Sequence, residues 1–244
     1  MISLLLAIQF LTIIPLKIKS FSEKKASLSM VCFPLVGLFL GALLCVSGEL
    51  LFVFGFRQLS IDAILIVLLI ILTGGMHLDG LSDTFDALLC NKDKAGMLSI
   101  MRDSRAGVMG MLSVVSIILL KIALLFSLPM VYQKGGLLLM CVLSRWAMVL
   151  SMFCFPYARL EGKARIFLDG INWKIFLVSS AIALASVLAV WGLKALIIFL
   201  VVALFTLLFG KFINRKLGGI TGDTLGATNE LAEVLVLLSA VFLI

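Results

Sequence analysis

Residues 61–86 read IDAILIVLLIILTGGMHLDGLSDTFD, an apolar run that ends in a cluster of three carboxylates. If the polar part is helical, Asp79, Asp83 and Asp86 fall at i, i+4 and i+7 and project from one face. Such a face repels itself unless a cation binds to it. Mg²⁺ commonly takes one or two protein carboxylates and fills its remaining positions with water and substrate phosphate. The segment therefore predicts a magnesium site for phosphate chemistry beside a membrane.

The composition predicts an integral membrane protein. Of the 244 residues, 63% are hydrophobic and only 14% are charged, far from the composition of a soluble domain. Because backbone polar groups in lipid must bond internally, we expect an all-α, polytopic helical bundle with about 6–8 membrane-embedded helices and polar cytoplasmic loops. We treat residues 1–244 as one membrane domain. Apolar runs lie at the N-terminus and at about residues 30–54, 61–76, 107–128, 136–155, 175–192, 195–212 and 231–244.

The segments between these runs alternate between charged and nearly uncharged. Arg57, Lys134 and Lys194 are the basic residues on one side, against fifteen on the other. The positive-inside rule places the basic-rich side in the cytoplasm. Most acidic residues lie on the same side, which indicates a polar site that faces the cytoplasm. We therefore expect the chain to lie in the cytoplasmic (inner) membrane. The basic-rich side comprises Lys17, Lys19, Lys24, Lys25, Lys92, Lys94, Arg102, Arg105, Arg159, Lys163, Arg165, Lys174, Lys211, Arg215 and Lys216.

The two ends of the chain and the cysteines need separate interpretation. The N-terminal run has neither early basic residues nor a small-residue cleavage site, so we expect it to stay uncleaved and embedded. The final run of 14 residues is short for a span and is compatible with a re-entrant segment or with a helix that tilts under its partner helices. The five cysteines lack paired spacing and are interpreted as packing residues.

A second polar cluster, MRDSRAG at residues 101–107, precedes the next apolar run. Arg102 and Arg105 can grip phosphate oxygens with forked donors, and Ser104 lies between them. All three are candidate substrate-binding residues. The alternative is an arginine pair that only orients the loop, with Asp103 as a local partner and Ser104 as a helix cap.

A third cluster reads KLGGITGDTLGATNEL at residues 216–231. Glycine-rich backbone can approach a ligand closely, and its amides can form an anion-binding concavity beside a helix start. Thr221 is a candidate substrate-binding residue there, while Asp223, Glu230 and Glu233 offer carboxylates at roughly helical spacing. A simple turn before a capped last helix explains the same pattern.

Three single residues add weaker signals. His77 beside the acidic cluster can donate or accept a proton, although an interface role is equally compatible. Arg159 could bind an anionic group, or it could be an interfacial arginine whose head reaches the membrane surface. Arg145 is an intramembrane charge, for which a functional or buried-pair role is the default expectation.

The chain resembles the cobalamin synthases, also called adenosylcobinamide-GDP ribazoletransferases, over nearly its whole length. Met76 and Ala106 stand where bulkier aliphatic residues are usual, and neither change removes a polar group. The motifs that carry the resemblance are QFLT at 9–12 with Pro15, FPLVG at 33–37, GGMHLDGL at 74–81, DTFD at 83–86, MRDSR at 101–105 and TGDTLGA at 221–227.

The resemblance implies a Mg²⁺-dependent phosphotransferase. It would transfer adenosylcobinamide phosphate from adenosylcobinamide-GDP to a ribose hydroxyl of α-ribazole or α-ribazole 5'-phosphate, releasing GMP. The product would be adenosylcobalamin or its 5'-phosphate. The implied partners are these substrates and the lipid bilayer, without nucleic acid, and homo-oligomerisation stays open. The CDP-alcohol phosphotransferases share the chemistry, but this chain lacks their Ala-Arg after the Asp-Gly, so none of their residue assignments is carried over.

This interpretation assigns roles to the clustered residues. The candidate Mg²⁺ ligands are Asp79, Asp83, Asp86 and Asp223. The candidate substrate-binding residues are Arg102, Ser104, Arg105, Arg159 and Thr221. The catalytic candidates are His77, Asp83, Asp86 and Glu230, with Asp86 or Glu230 accepting the hydroxyl proton and His77 as the alternative.

Two other functions compete with this one. A divalent-cation transporter would also carry a carboxylate cluster and intramembrane polar residues, although here the acids lie mostly in one set of loops. A purely structural membrane scaffold would not explain the clustered acids and the paired arginines.

Overall fold

The computed structural model describes residues 2–16, 22–103, 105–159 and 165–243. Within these ranges the chain is helical and contains no β-strand, which confirms the predicted all-α class. The helices are α1 (Ile2–Leu11), α2 (Glu23–Ser29), α3 (Phe33–Val53), α4 (Gln58–Thr73), α5 (Met76–Leu89), α6 (Lys94–Ile100), α7 (Val108–Ser127), α8 (Met130–Cys154), α9 (Arg165–Leu168), α10 (Trp173–Trp191), α11 (Leu196–Leu217) and α12 (Gly222–Leu243).

Five helical segments are long and apolar enough to cross a membrane, as expected for a multi-pass protein. A sixth span results if α4 and α5, which meet at an angle of 89°, are counted as one broken span. The longest segment, Trp173–Leu217, contains both α10 and α11, and Gly192 separates them with a left-handed φ of 63°. Its 45 residues would extend about 67 Å, enough for two passes. The other segments are Glu23–Val53, Val108–Ser127, Met130–Cys154 and Gly222–Leu243.

The two terminal runs differ from their predicted lengths. α12 has 22 residues rather than 14, because its polar first half is helical and largely buried. The Thr221 hydroxyl accepts from the Thr224 amide, and the Thr224 hydroxyl accepts from the Thr221 amide, so the start of α12 is capped reciprocally. α1 has only 10 residues, too few to cross a bilayer core, and packs against α2 and α3.

The loops that share a charge pattern also share an end of the bundle. The loop after α8 pairs with the turn before α12, where Ile220 donates to the Pro156 carbonyl and Ala158 donates to the Ile220 carbonyl. We call this region, formed by the loops after α5, α8 and α11, the charged end. At the opposite end, Lys134 pairs with Glu49 at 2.7 Å. The loops after α8 and α11, which the charge pattern predicts to lie on one side, thus lie at one end of the bundle.

Helix α8 forms the centre of the bundle, and most of its length is buried. It packs against α3, α10, α11 and α12. Gly37 and Gly41 bring α3 against the α8 backbone, where a Cβ on Gly41 would lie 2.8 Å from the Leu138 Cα. Because the loop after α8 pairs with the turn before α12, the C-terminal end of α8 lies at the charged end, beside the start of α12.

Candidate functional site

The site forms where α5 crosses α12 with their backbones in contact. A Cβ on Gly80 would lie 2.7 Å from the Asp223 carbonyl oxygen, and a Cβ on Gly226 would lie 3.0 Å from the His77 carbonyl oxygen. Only glycine fits at such a crossing without displacing a helix. The crossing places Asp79, next to Gly80, beside Asp223.

Four carboxylates gather around this crossing. Asp79, Asp83 and Asp86 lie on the helix α5 that the sequence predicted, and Asp223 lies in the first turn of α12. Asp83 is partly buried, and the negative charges of Asp79, Asp223 and Asp86 all act on it. Such crowding favours a bound cation, since each carboxylate raises the cost of ionising its neighbours.

The donor chemistry of these carboxylates fits Mg²⁺. In the described part of the chain, no three His, Cys, Asp or Glu side chains are arranged to hold a metal by themselves. Mg²⁺ does not require such a cage, because one or two carboxylates suffice when water and phosphate oxygens complete the octahedron. Asp79 and Asp223 both line the cavity described below and are open to a ligand there.

Asp86 faces a different element, the start of α7. Its Oδ2 accepts from the Gly107 amide at 2.6 Å, and its Oδ1 accepts from the Gly110 amide at 2.8 Å. It thus caps α7 from outside, where a negative charge also interacts favourably with the helix dipole. Both oxygens are occupied by backbone donors, and this contact fixes α5 against α7.

Arg159 is the arginine that reaches the carboxylates. Its Nη2 donates to Asp223 Oδ2 at 2.7 Å, and both side chains are mostly buried. The residue is held there by the contact between its loop and Ile220. Arg159 and Asp223 were each predicted as site residues, and the structure brings them together.

The arginine pair of the 101–107 loop is arranged differently. Arg105 bonds to Asp103 at 2.6 Å, and its side chain is 87% exposed. This contact and the backbone bond from Arg105 hold the pKa of Asp103 at about 2. Arg102 is exposed as well. Ser104 lies outside the described residues. The local partnership with Asp103 that the sequence left open is therefore present.

Thr221 is fully buried as the first cap of α12. Besides its bonds to Thr224, its hydroxyl lies 3.5 Å from Asp223 Oδ2. Its position supports the first turn of α12, and through that turn it orients Asp223.

Glu230 lies deeper in the bundle, within a buried ion cluster. It accepts from Lys121 of α7 at 2.6 Å, and Lys121 also bonds to Glu233. Glu233 pairs in turn with Arg145 of α8. All four side chains are buried, with two positive and two negative charges in total. The cluster joins α7, α8 and α12, and it confirms the buried-pair expectation for Arg145.

A cavity of about 280 Å³ opens beside the carboxylates. Its polar lining is supplied by His77, Asp79, Tyr157, Arg159 and Asp223. Its apolar lining comes from α1, α8, the α9 region and α12, and consists mainly of Phe10, Met148, Met152, Phe167 and Leu225. The cavity thus combines an acidic rim with a buried apolar wall.

His77 has an unusual position in that cavity. The side chain is only 2% exposed, and neither ring nitrogen has a hydrogen-bond partner among the described residues. Burying an unpaired charge is costly, so the ring is neutral and offers one N–H donor and one nitrogen acceptor. Both ring nitrogens also have almost no accessible surface, so the imidazole lies behind the cavity wall and is not open to a ligand there.

Reasoning from sequence did not identify the apolar wall. Phe10 and Phe167 contact each other with ring centroids 4.4 Å apart, although 157 positions of sequence separate them. Met148 and Met152 show helical spacing, which is also typical of a packed core. The position of Phe10 in the QFLT motif was the sequence feature that could have indicated its place in the site.

Two comparisons with known proteins identify the same family over nearly the whole chain. A family model described as cobalamin-5-phosphate synthase matches residues 3–241. Three similar proteins are each named adenosylcobinamide-GDP ribazoletransferase. That of Desulforamulus reducens is 37% identical over 96% of this chain and 94% of its own length. That of Thermoanaerobacter pseudethanolicus is 37% identical over 96% and 95%, and that of a Roseiflexus species is 39% identical over 95% and 86%. No solved structure matches the chain.

Proposed function

The chain belongs to the cobalamin-5-phosphate synthase family, and from that premise we propose that it joins adenosylcobinamide-GDP to α-ribazole or α-ribazole 5'-phosphate. It is a multi-pass membrane transferase of cobalamin biosynthesis. The ribose hydroxyl of the ribazole attacks the phosphorus next to cobinamide. The bond from that phosphorus to the GMP oxygen breaks, and the product is adenosylcobalamin or its 5'-phosphate.

One observation carries the proposal: the glycine crossing of α5 and α12 sets Asp79 and Asp223 on one wall of a cavity. Two carboxylates and an arginine at such a place suit a diphosphate. A bound Mg²⁺ would offset the charge of the diphosphate, and Arg159 would offer further N–H donors to its oxygens. The Arg159 Nε has no partner within the described ranges.

The family resemblance and the donor set support Mg²⁺ as the cofactor. We assign Asp79 and Asp223 as its ligands, and substrate phosphate and water would complete the sphere. When bound, the ion would neutralise charge on the departing GMP and polarise the attacked phosphorus. Asp86 is omitted, because two backbone amides already occupy its oxygens.

We assign Asp83 as the acceptor of the hydroxyl proton. Its side chain is partly buried and lies on the same face of α5 as Asp79, beside the position proposed for the metal and the attacking hydroxyl. Glu230 is less suited, because it is buried and bonded to Lys121. The remaining work of the chain is to hold the hydroxyl and the leaving group in line.

We place the protein in the inner membrane with this site facing the cytoplasm. The support is the predicted charge asymmetry, together with the gathering of the corresponding loops at the charged end of the bundle.

Divalent-cation transport receives less support. A transport path would require ionisable groups open to the passing ion near the middle of the spans. The buried charges of α7, α8 and α12 are instead paired with one another.

The proposal is tested by GMP release from adenosylcobinamide-GDP and α-ribazole phosphate, using protein purified in detergent. We expect release with Mg²⁺, loss of release with a chelator, and a cobalamin product in equal amount. Folded protein that releases no GMP with both substrates present would refute the transferase activity. Metal uptake into sealed vesicles would then be measured.

A further inference from the structure

A second cavity, of about 380 Å³, lies at the end of the bundle opposite the charged end. It forms where α8 and α11 begin and where α10 and α12 end. Its polar and aromatic lining is supplied by Tyr132, Trp191 and Lys194, and its apolar lining includes Ile198 and Leu243. We call this cavity the distal groove.

Helix α10 indicates the depth of the distal groove in a membrane. Trp173 is the first of its 19 residues and Trp191 is the last, so the two tryptophans lie about 27 Å apart along the axis. That length matches the hydrocarbon core of a bilayer, which is roughly 30 Å thick. Tryptophan and tyrosine are enriched at the two membrane–water interfaces. Trp191 and Tyr132, whose rings meet edge to face at 6.4 Å, therefore place the groove at the level of the lipid headgroups.

Lys194 brings a positive charge to this level. Its side chain is exposed, and it forms no ion pair with any described residue. The two acidic side chains of this end of the bundle do not line the groove. Glu49 pairs with Lys134 at 2.7 Å, and Asp62 is buried and accepts from Gln58 at 2.8 Å. The groove thus offers a cation that the described protein leaves without a counter-charge, which suits an anionic ligand.

The floor of the distal groove is apolar. Ala195 is only 1% exposed and Ile198 is fully buried, and Leu243 adds an apolar side chain from the end of α12. The indole of Trp191 forms one wall because Gly135 leaves room for it, whereas a Cβ at residue 135 would overlap the ring. A ligand that fits both parts of the groove therefore combines an anionic group with an apolar chain.

We propose that the distal groove binds one anionic phospholipid, with its phosphate at Lys194 and the upper part of an acyl chain against Ile198 and Leu243. A membrane supplies this anion at the level of the groove, whereas free phosphate lacks the chain that the apolar floor would bind. A headgroup without an amine, as in phosphatidylglycerol, leaves its phosphate charge to Lys194. The ammonium of phosphatidylethanolamine would compete for that charge. The bound lipid would contact α8, α10, α11 and α12 together, and its binding does not depend on the proposed function.

Quenching of Trp191 fluorescence tests this site directly. The chain has three tryptophans, so the variant Trp146→Phe/Trp173→Phe keeps Trp191 alone. Phosphatidylglycerol with brominated acyl chains, added to this variant in detergent, should quench Trp191 at about tenfold lower concentration than brominated phosphatidylethanolamine. Adding Lys194→Gln should abolish that preference. Excess inorganic phosphate should leave the quenching unchanged, and displacement by phosphate would overturn the assignment to a lipid.

Lys134→Gln in the same background is the matched control. It removes a positive charge from the same end of the bundle, but Lys134 does not line the distal groove. The preference for phosphatidylglycerol should persist in it. Equal quenching by the two lipids before either lysine is changed, or an undiminished preference in Lys194→Gln, would refute the proposal. If the double tryptophan variant misfolds, Trp173→Phe alone replaces it, because Trp146 is only 2% exposed.

A second test fills the distal groove. Leu243→Trp places an indole in the groove, whereas Phe242→Trp places one at the adjacent position, where the side chain is 81% exposed. Phosphatidylglycerol should raise the Tm of Phe242→Trp by about 2–4 °C more than that of Leu243→Trp, because a ligand of the folded state stabilises it. Equal rises in the two folded variants would contradict the proposal. Neither test uses a substrate of the transferase, so GMP release is decided separately.

Discussion

Gly80 of α5 lies directly against the backbone of Asp223 in α12: a Cβ at residue 80 would be 2.7 Å from the Asp223 carbonyl oxygen. Gly80→Ala should therefore push the helices apart and separate Asp79 from Asp223. We expect a loss of about 1–3 kcal/mol in the free energy of unfolding. We also expect a higher Mg²⁺ concentration for half-maximal GMP release.

Gly48→Ala is the control for that substitution. Gly48 also lies within a helix, but its added Cβ would meet only side-chain atoms, of Leu65 at 3.3 Å and of Ile61 at 3.8 Å. Its Mg²⁺ requirement should match that of the wild type. If Gly80→Ala kept the wild-type Mg²⁺ requirement, the crossing would not position the metal ligands.

Lys121 and Glu230 test the role of the buried ion cluster. Lys121→Met alone leaves an uncompensated negative charge and should cost about 3–5 kcal/mol in the free energy of unfolding. The double variant Lys121→Met/Glu230→Leu removes one charge of each sign and keeps the Arg145–Glu233 pair. It should regain most of the lost stability in thermal unfolding, because well-packed apolar side chains replace a buried pair at little cost.

Activity of the same double variant decides the role of Glu230 in catalysis. If the cluster only joins α7, α8 and α12, the double variant should release GMP at a rate near that of the wild type. A folded but inactive double variant would make Glu230 the proton acceptor and would contradict our assignment of Asp83.

Asp86→Asn should affect stability more than metal binding. Asparagine keeps one oxygen acceptor but loses the charge and one of the two bonds to the start of α7. We expect a loss of about 1 kcal/mol in the free energy of unfolding. The Mg²⁺ concentration for half-maximal activity should stay unchanged. A clear increase in that concentration would return Asp86 to the set of ligands.

Much of this architecture follows from the sequence, because membrane spans leave strong signals. The apolar runs predicted the long helices to within a few residues in several cases, such as 107–128 for α7 and 175–192 for α10. The end of the chain was less predictable. Periodicity of apolar residues cannot show that Gly222–Glu230 is helical, since that half of α12 is polar and buried by contact with α5.

The candidate site was predictable in composition but not in detail. The spacing of Asp79, Asp83 and Asp86 correctly indicated one helix, yet it could not show that Asp86 turns to the start of α7. That contact depends on how α5 bends away from α4. The partners of Lys121 and the wall formed by Phe10 and Phe167 depend on long-range packing, which local patterns do not encode.

Asp83 and Asp79 should respond differently to loss of charge. Asp83→Asn should lower kcat by about 10²–10⁴-fold, as expected for loss of a proton acceptor, at any Mg²⁺ concentration. Asp79→Asn should instead raise the Mg²⁺ concentration for half-maximal GMP release, so that excess metal restores part of the activity.

Asp93→Asn is the control, since Asp93 is an exposed aspartate that caps α6. Both site variants replace a carboxylate on the same face of α5. A purely electrostatic effect of the lost charge would therefore change kcat and the Mg²⁺ requirement alike in the two variants. Rescue of Asp83→Asn by Mg²⁺ would identify Asp83 as a ligand, and near-normal turnover in that variant would remove it from the mechanism.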